Sequence, residues 1–528
     1  MYCKKSWIKN VYKCSFKDYN EKEVFYVIKT RFSKVGKHMK KKNTILYSII
    51  GLSLVALIMY GGSFFLNNNE SQHMNNVAMK RSLSINQKEK SNKLPIPQLL
   101  EDKNPEEGKA EFNLNVQYGE TEFFEGKKAN TLGYNGNYLG PIIRVSKGDE
   151  VKINVDNGLD ESTTVHWHGL EVPAEMDGGP HQGIEPQSTW TPSFTINQPA
   201  ATLWYHPHLL GKTGEQVYKG LAGLFYIEDE ASKDLDIPEE YGVNDIPLVV
   251  QDKRFTDDGD IPYELDMRDT MDGFMGDTIL INGAISPELD VKNELVRLRI
   301  LNGSNARTYD FNFSDTNEFY QIASDGGFLE KSVEMDKVIL APAERAEIIV
   351  DLSSYKVGDK VTFRDAENDL MTINIVEESN EKADIPKELV EIPQYDRNEI
   401  VRSRDFVMSG MGRMVSINGK QMDMNRIDEE LTLNELEEWV VTNQSSGGMG
   451  MMSSSSHPFH VHGVQFQIVE RNGETPPLNE QGWKDTVMLE NNEEVKLLVV
   501  FKEKGLFMYH CHILEHEDSG MMGQFTVD

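Results

Sequence analysis

The residues best suited to metal chemistry stand in one stretch near the C-terminus, His510-Cys511-His512, followed by His516 and Met521. In an extended strand successive side chains point to opposite faces, so His510 and His512 would face one way and Cys511 the other. His516 and Met521 lie far enough downstream to turn back towards the sulfur. A blue-copper site needs two His, one Cys and a weak axial Met, so this stretch predicts most of such a site.

Ten histidines of this chain, out of 13 in all, fall into four clusters. A single His-x-His pair is more often two partly exposed strand residues, but four clusters together with one cysteine favour metal ligands. If Cys511, His516 and Met521 are three ligands, His457 is the candidate fourth, because it lacks a partner two residues away in its cluster. The other clustered histidines form four strand pairs: His166 and His168, His206 and His208, His460 and His462, His510 and His512.

The elements that must position these residues read as β-strands. From Phe112 onward, short alternating runs rich in Val, Ile, Phe and Tyr are separated by Gly, Asn and Asp, which is typical of β-sandwiches. Three runs resemble one another, and their closing residues Asn157, Asn302 and Asn443 lie 145 and 141 residues apart. This period predicts an all-β chain of three tandem sandwich domains: residues 109–230, 245–378 and 395–528.

The division into domains restricts the metal chemistry to the outer two. Linkers rich in charge and proline fall around 228–245 and 376–398, between the predicted sandwiches. The middle domain contains no histidine. We therefore expect the first and third domains to supply every imidazole ligand.

The N-terminal region precedes the sandwiches and predicts a membrane attachment. Residues 1–44 are basic, residues 45–66 are nearly all apolar and long enough to cross a bilayer, and residues 67–108 read as a solvated linker. An uncleaved anchor is favoured over a signal peptide, since the apolar run is long for a signal and no small-residue cleavage site stands out. The protein is expected outside the cytoplasm, anchored by residues 45–66 or, alternatively, secreted.

Charge and cysteine usage limit the partners. The net charge is −31, and subtracting the +10 of residues 1–44 leaves −41 for the rest, which repels nucleic acid and attracts cations. Nucleic acid is therefore excluded as an expected partner, and a monomer is expected. Only one of three cysteines, Cys511, follows the apolar run, so it is either a buried apolar residue or a ligand.

Four motifs make the resemblance to a known family specific. HWHG at 166–169, HPH at 206–208, HPFHVHG at 457–463 and HCHILEHEDSGMM at 510–522 resemble, intact and in order, the copper signatures of the three-domain multicopper oxidases, the laccase family. The resemblance implies cupredoxin-like Greek-key domains and four copper ions. It assigns type 1 copper to His457, Cys511, His516 and Met521; type 2 copper to His166 and His460; and the paired type 3 coppers to His168, His206, His208, His462, His510 and His512.

The same resemblance implies a reaction. Substrate would lose single electrons at type 1 copper, and these would pass through Cys511 to its flanking histidines, where dioxygen is reduced by four electrons to water. Oxygen reduction consumes protons, and Asp177 and Glu517 match acidic positions that the family uses for this purpose. Without that role, they would be a loop aspartate and a surface glutamate.

Methionines near His457 bear on the choice of substrate. Thioether sulfur prefers Cu(I). The candidate ligands of a substrate Cu(I) ion are Met408, Met411, Met414, Met449, Met451 and Met452. The alternative is that these methionines fill packing gaps. A second group, Met267, Met271 and Met275, is interpreted as core.

The phrasing of the motifs is also similar to that of the bacterial copper-efflux cuprous oxidases, with departures. The methionine segment here is short, and Gly450 stands where those enzymes have an Asp before the Met pair, so Asp423 is a candidate replacement. The leading hypothesis is a Cu(I) oxidase for copper tolerance. The alternatives are a general laccase acting on phenols or aromatic amines and a copper-free cupredoxin scaffold with a structural role, against which the complete ligand set argues.

Overall fold

The structure, a computed structural model, describes residues 92–314, 318–380, 384–444 and 456–528. The predicted anchor at 45–66 and the methionines Met449, Met451 and Met452 lie outside these ranges. Within these ranges, no helix combines the length and apolar character needed to cross a membrane. The fold is mostly β, as the alternating sequence predicts.

The first sandwich consists of two sheets with strand orders β2-β1-β4-β6, in which β7 also pairs with β4, and β3-β9-β8-β5. Its core side chains come from the inward-facing positions of alternating strands, such as Val151, Ile153 and Val155. Its elements are β1 Lys109–Phe124, β2 Lys127–Tyr134, β3 Ile143–Ser146, β4 Glu150–Asn157, β5 His166–His168, β6 Thr189–Trp190, β7 Ser193–Thr195, β8 Ala201–His206, α1 Thr213–Lys219, β9 Gly223–Glu228 and α2 Glu230–Lys233.

The middle sandwich has a seven-stranded sheet, β12-β11-β10-β14-β19-β16-β17, facing a five-stranded sheet, β13-β21-β20-β15-β18. A separate apolar core lies between them. The elements are β10 Asp245–Lys253, α3 Met267–Asp272, β11 Thr278–Ile281, β12 Ala284–Ile285, β13 Glu288–Lys292, β14 Leu295–Asn302, β15 Tyr309–Phe313, β16 Phe319–Ser324, β17 Gly327–Met335, β18 Val338–Leu340, β19 Arg345–Asp351, β20 Lys360–Asp365 and β21 Asn368–Glu377.

The third sandwich pairs the sheets β23-β22-β25-β30-β27-β28 and β24-β32-β31-β26-β29. Cys511 and Met521 belong to its buried core. The elements are β22 Arg402–Ser409, β23 Ser416–Ile417, β24 Glu429–Leu431, β25 Glu437–Gln444, β26 His457–Val461, β27 Phe466–Arg471, β28 Trp483–Lys484, β29 Thr486–Leu489, β30 Glu494–Val499, β31 Gly505–Cys511, α4 Leu514–Asp518 and β32 Met522–Val527. Short 3-10 turns include Ala174–Met176 and Gly412–Met414.

The repeated asparagines have one structural role in all three sandwiches. In each, the first strand pairs in parallel with the strand that contains the asparagine, with Val116 opposite Asn157, Val250 opposite Asn302 and Met408 opposite Asn443. All three asparagines are buried, and each side-chain amide donates to a backbone carbonyl outside its own strand. The three-domain architecture is therefore confirmed at the level of strand register, while the domain boundaries stay predictions.

The part of the predicted linker that the structure describes is not a solvated tether. The amide of Leu94 donates to the carbonyl of Glu288 at 2.9 Å, and the Leu94 side chain is buried in the core of the middle sandwich. The amide of Leu100 donates to the carbonyl of Ile142 at 2.7 Å. The polar composition around these residues concealed a few apolar side chains, which are enough to hold the segment against the sandwiches.

Candidate metal centres

A thiol and two imidazoles meet at one end of the third sandwich. Strands β26 and β31 pair antiparallel with Phe459 opposite Cys511, which brings His457, two residues before Phe459, to the thiol face. The Cys511 Sγ lies 3.4 Å from Nδ1 of His457 and 4.0 Å from Nδ1 of His516. All three side chains are fully buried. The structure thus brings together the thiol and both imidazoles of the predicted blue-copper site.

The axial methionine returns to this centre through a short turn. After β31 the chain forms α4, which carries His516, and then turns back into β32. The amide of Cys511 donates to the carbonyl of Met521 at 3.0 Å, and the amide of Met521 donates to the carbonyl of His516 at 2.9 Å. Met521 is fully buried in the same core as Cys511. All four predicted type 1 ligands therefore lie together.

The eight remaining clustered histidines form a second centre between the first and third sandwiches. Strand β5 pairs with β8 so that His166 lies opposite His206, and β26 pairs with β31 so that His460 lies opposite His510. The two strand pairs face each other, since Nε2 of His208 in the first sandwich lies 3.0 Å from Nε2 of His510 in the third. As the sequence predicts, the middle domain contributes no imidazole.

Within this centre the imidazoles sort into groups. The Nε2 atoms of His208, His462 and His510 lie 3.0–3.1 Å from one another. A second group has Nδ1 of His168 at 3.3 Å from Nε2 of His206, with the His512 ring centroid 5.1 and 5.3 Å from theirs. His166 and His460, 5.8 Å apart, complete the centre. Rings also stack across these groups, with His166 against His462 and His168 against His460 at centroid distances of 3.9 and 3.7 Å, so the eight imidazoles form one cluster and their division between type 2 and type 3 copper stays a prediction.

The ring nitrogens that point away from the centre are held by acceptors on the surrounding chain. Nδ1 of His166 contacts the backbone carbonyl of Asp177, and Nδ1 of His460 contacts that of Asp485, at 3.0 and 2.8 Å. Nδ1 of His206 is 2.8 Å from the Pro207 carbonyl. Such outer contacts fix ring orientation and tautomer, which is how protein metal sites orient their histidines.

The two predicted acids both touch this centre. The Asp177 carboxylate lies 2.8 Å from Nδ1 of His462, while the Glu517 carboxylate lies 3.5 Å from Nδ1 of His208 and 3.3 Å from Nδ1 of His510. Both side chains are buried. Burial, reinforced by the neighbouring Asp518, raises the pKa of Glu517 well above its usual range. Neither residue is therefore a surface acid.

The Asp177 loop reaches the strand that carries His166 because of one glycine. Gly178 has a positive φ of 82°. A Cβ at that position would lie 1.8 Å from the backbone oxygen of Val165. Only glycine permits so close an approach of the two backbones, and the approach sets the Asp177 carbonyl against His166.

The donor set fits copper on the chemistry of its atoms. Five of the buried histidines carry ring nitrogens with no hydrogen-bond partner among the described residues: His166, His208, His457, His460 and His512. Mainly through burial, the pKa lies well below the usual range for His168, His206, His208, His460, His462 and His510, and at about 3 for His457 and His512. Neutral imidazoles with free lone pairs are metal ligands, and burying them unpartnered is costly otherwise.

The Cys511 thiol fits the same interpretation. Burial raises its pKa, and the amide of Ile513 points at its sulfur from 3.4 Å. A bound cation would favour the thiolate that metal ligation requires. A thiolate with two imidazoles and a thioether selects copper among the first-row metals.

The candidate substrate methionines divide into two classes. Met408 is fully buried on the inward face of β22 in the third-domain core, which favours a packing role, while its assignment as a substrate-copper ligand stays a prediction. Alternation along β22 turns it inward. By contrast, Met414 is 79% exposed and Met411 is half-buried.

Of the three middle-domain methionines interpreted as core, Met267 and Met271 are not core residues. Met267 is 81% exposed at the start of α3, and that helix contacts both the turn Gly412–Met414 and α4. The carbonyl of Met271 accepts a hydrogen bond of 2.9 Å from Nε2 of His516. Only Met275 packs against a core, that of the third sandwich.

Sequence reasoning missed two charged residues beside the histidines. The Asp485 carboxylate lies 3.0 Å from Nε2 of His168, and Arg345 of the middle domain forms a bidentate pair with that carboxylate. The signal available was the charged pair Lys484-Asp485 between apolar strand residues. Nothing in the sequence linked Asp485 to Arg345, 140 positions away.

Comparisons with known proteins agree with this geometry. Two family models, both described as multicopper oxidase, match residues 115–232 and 388–528. The chain is 44% identical over 446 residues to the multicopper oxidase mco of Staphylococcus haemolyticus, covering 84% of this chain and 94% of that one. It is 37% identical to the cell division protein FtsP of Shigella dysenteriae, covering 82% and 92%.

A solved structure gives the same result for the fold. The laccase from Pediococcus acidilactici superposes with a TM-score of 0.78 at 40% sequence identity, over 83% of this chain and 94% of that one. At this identity, the similarity concerns both fold and sequence.

Proposed function

The chain belongs to the multicopper oxidase family, and from that premise we propose that it oxidises Cu(I) to Cu(II) in copper tolerance. The electron acceptor is dioxygen, which is reduced by four electrons to water. The oxidoreductase class and the copper cofactor follow from the family. The choice of Cu(I) as the reductant is our proposal.

The resident copper ions supply the one-electron redox chemistry, and this chain's residues hold them. His457, Cys511, His516 and Met521 would hold type 1 copper; His166 and His460 would hold type 2 copper; and His168, His206, His208, His462, His510 and His512 would hold the type 3 pair. The placement of Cys511 between His510 and His512 gives a short covalent path from its sulfur to one imidazole in each type 3 group. The buried acids Asp177 and Glu517 are the proposed proton donors for oxygen reduction.

The observation that carries the choice of Cu(I) is the position of α3 over His516. The Met271 carbonyl is hydrogen-bonded to Nε2 of His516. It therefore covers the ring atom that an organic reductant would otherwise reach. A Cβ at Gly412 would lie 3.5 Å from Cγ of Met271, so the turn Gly412–Met414 packs directly on the helix. The helix and the turn, which carry methionines of two domains, therefore both pack against α4, the helix of the covered imidazole, and thioether sulfur is a ligand for Cu(I).

A general laccase acting on phenols or aromatic amines is the second candidate, supported by the similarity to the Pediococcus laccase. A copper-free scaffold, suggested by the similarity to FtsP, is third. Ten buried clustered histidines with converging ring nitrogens argue against the scaffold, because burying them without a metal would be costly.

We also propose an extracytoplasmic location, with residues 45–66 as the anchor and secretion as the alternative. The apolar run after a basic segment supports the anchor. Fractionation of cells that express the full chain tests it. Recovery in the membrane pellet supports the anchor, and recovery as a shortened protein in the medium would support secretion.

Oxygen consumption by copper-loaded protein tests the substrate, with Cu(I) and a phenolic dye compared. In a variant with Met267, Met271, Met411 and Met414 replaced by Leu, we expect the KM for Cu(I) to rise ~10-fold or more, since the soft ligands are gone. The rate with the phenol should stay unchanged. Met408→Leu, a buried thioether in the same region, is the matched control.

The methionines outside the described residues require a variant of their own, with Met449, Met451 and Met452 replaced by Leu. Unchanged Cu(I) kinetics in both methionine variants would overturn the Cu(I) proposal in favour of the laccase alternative. A rise in the KM for Cu(I) in either variant supports it.

A further inference from the structure

Asp485 contacts both a predicted type 3 ligand and a predicted type 2 ligand in the eight-histidine centre. Its carboxylate Oδ1 lies 3.0 Å from Nε2 of His168, whose Nδ1 faces His206 inside the centre. Its backbone oxygen lies 2.8 Å from Nδ1 of His460, whose Nε2 has no partner among the described residues. One residue therefore orients a predicted type 3 ligand through its side chain and a predicted type 2 ligand through its backbone.

The same carboxylate is held in place by the middle domain. Nη1 and Nη2 of Arg345 donate to its two oxygens at 2.7 and 2.5 Å, a bidentate arrangement. Gln465 and Thr486 donate to it at 2.8 and 3.0 Å. Bidentate Arg–carboxylate pairs are strong and geometrically specific, so the carboxylate has little freedom to turn away from His168.

The N–H groups of the Arg345 guanidinium that do not contact Asp485 also have hydrogen-bond acceptors. Its remaining N–H groups donate to the carbonyls of Thr202 in the first domain and of Ala343 and Asp325 in the middle domain, at 2.9–3.1 Å. The side chain is 0% exposed. Because Arg345 bonds to residues of all three domains, its position fixes the first and third sandwiches relative to each other at the histidine centre.

We propose that Arg345 and Asp485 are positioning residues for the trinuclear copper site, so that the histidine-free middle domain controls how His168 and His460 are presented to copper. Contacts of this kind around metal-binding histidines govern ring orientation and ligand basicity. The inference concerns copper retention and does not depend on which reductant the protein uses.

The test measures copper in the purified, copper-loaded full chain. We expect the affinity for type 2 and type 3 copper to fall ~10–100-fold in Arg345→Met and also in Asp485→Asn, a substitution that conserves the volume of the side chain. Chelator titration measures this loss, and the hyperfine pattern of the type 2 EPR signal should change with it. The blue type 1 absorption should persist, and Arg345→Lys should restore part of the affinity.

The matched control is Arg299→Met. Arg299 is another buried middle-domain arginine, bonded to both oxygens of Asp245 and to Thr202 of the first domain, and its hydrogen bonds do not involve the histidines. It should retain all copper. Full copper affinity with an unchanged type 2 signal in Asp485→Asn would overturn the proposal, as would an equal loss in Arg299→Met or a matching loss of the type 1 band. If Arg345→Met does not fold, Asp485→Asn and Arg345→Lys decide.

Discussion

The backbone oxygen of Met271 lies 2.9 Å from Nε2 of His516. This contact joins helix α3 of the middle domain to a histidine of the third domain. Helix α3 is held in place, because the Asp266 side chain caps its N-terminus and Arg254, which precedes the helix, forms a bidentate ion pair with Asp269 of the helix. A domain without histidine therefore contacts a ligand of the predicted type 1 site.

Gly273→Ala should disturb the contact between α3 and His516. Gly273 has a φ of 87°, and a Cβ there would lie 2.3 Å from the Cβ of Ala306 and 2.6 Å from Cγ2 of Ile513. Overpacking should cost ~1–3 kcal/mol and displace α3 from His516. We expect a shifted type 1 EPR spectrum and faster oxidation of a phenolic dye by the copper-loaded variant.

The control for this variant is Gly473→Ala, where φ is 83° and nothing lies within 4 Å of the added Cβ. Both variants carry the strain of an alanine at positive φ, ~1–2 kcal/mol. Only the first should change the spectrum. An identical type 1 signal in wild type and Gly273→Ala would contradict the role assigned to α3.

Asp177→Asn and Glu517→Gln should lower kcat for oxygen reduction by ~10²–10⁴-fold while copper content stays at the wild-type level, because each removes a proton donor but keeps the shape of the side chain. Oxygen consumption and copper stoichiometry measure the two effects separately. Asp257→Asn, at an exposed acid of the middle domain, serves as the control. Loss of copper in parallel with activity would show that the two acids only position the histidines.

Lys253 gives a prediction for stability against pH. It is fully buried, with Nζ 4.6 Å from the ring centroid of Tyr218, and burial lowers its pKa from 10.5 to about 7. The unfolded chain therefore binds more protons than the folded chain between about pH 7 and 10.5, and stability contributed by this residue rises with pH across that window.

Near pH 6 the Lys253→Met variant should therefore have a free energy of unfolding ~1 kcal/mol or more above that of the wild type, and it should melt at a higher temperature. The difference should shrink as the pH rises towards about 10, and calorimetry across this range measures it. A difference in Tm that is constant with pH would mean that the lysine does not carry a buried charge in the folded protein.

The sequence was sufficient to predict which side chains lie together at the two centres, because strand alternation is local. His-x-His spacing puts two imidazoles on one face of a strand. The three repeated strands that end in asparagine predicted separate sandwiches, and the histidine pairs fall in two of them. The eight-histidine centre lies between the first and third domains, as expected. Metal-binding histidines are recognisable without knowledge of the tertiary contacts.

Contacts between distant segments were not predictable in this way. Arg345 and Asp485 are paired by the packing of two domains, and the charged pair Lys484-Asp485 gave no indication of Arg345 as its partner. Met408 and Met414 looked equivalent as members of one methionine-rich stretch, yet one strand phase buries the first while a 3-10 turn exposes the second. Burial at this level depends on register that composition does not specify.

The most direct test of the two-centre account is the spectrum of copper-loaded Cys511→Ser beside that of the wild type. We expect the wild type to show an intense blue thiolate-to-copper band. In Cys511→Ser that band should be absent and oxygen consumption should stop with either reductant, while the type 2 EPR signal remains. A Cys511→Ser protein that stayed blue, or that still reduced oxygen at the wild-type rate, would contradict the account.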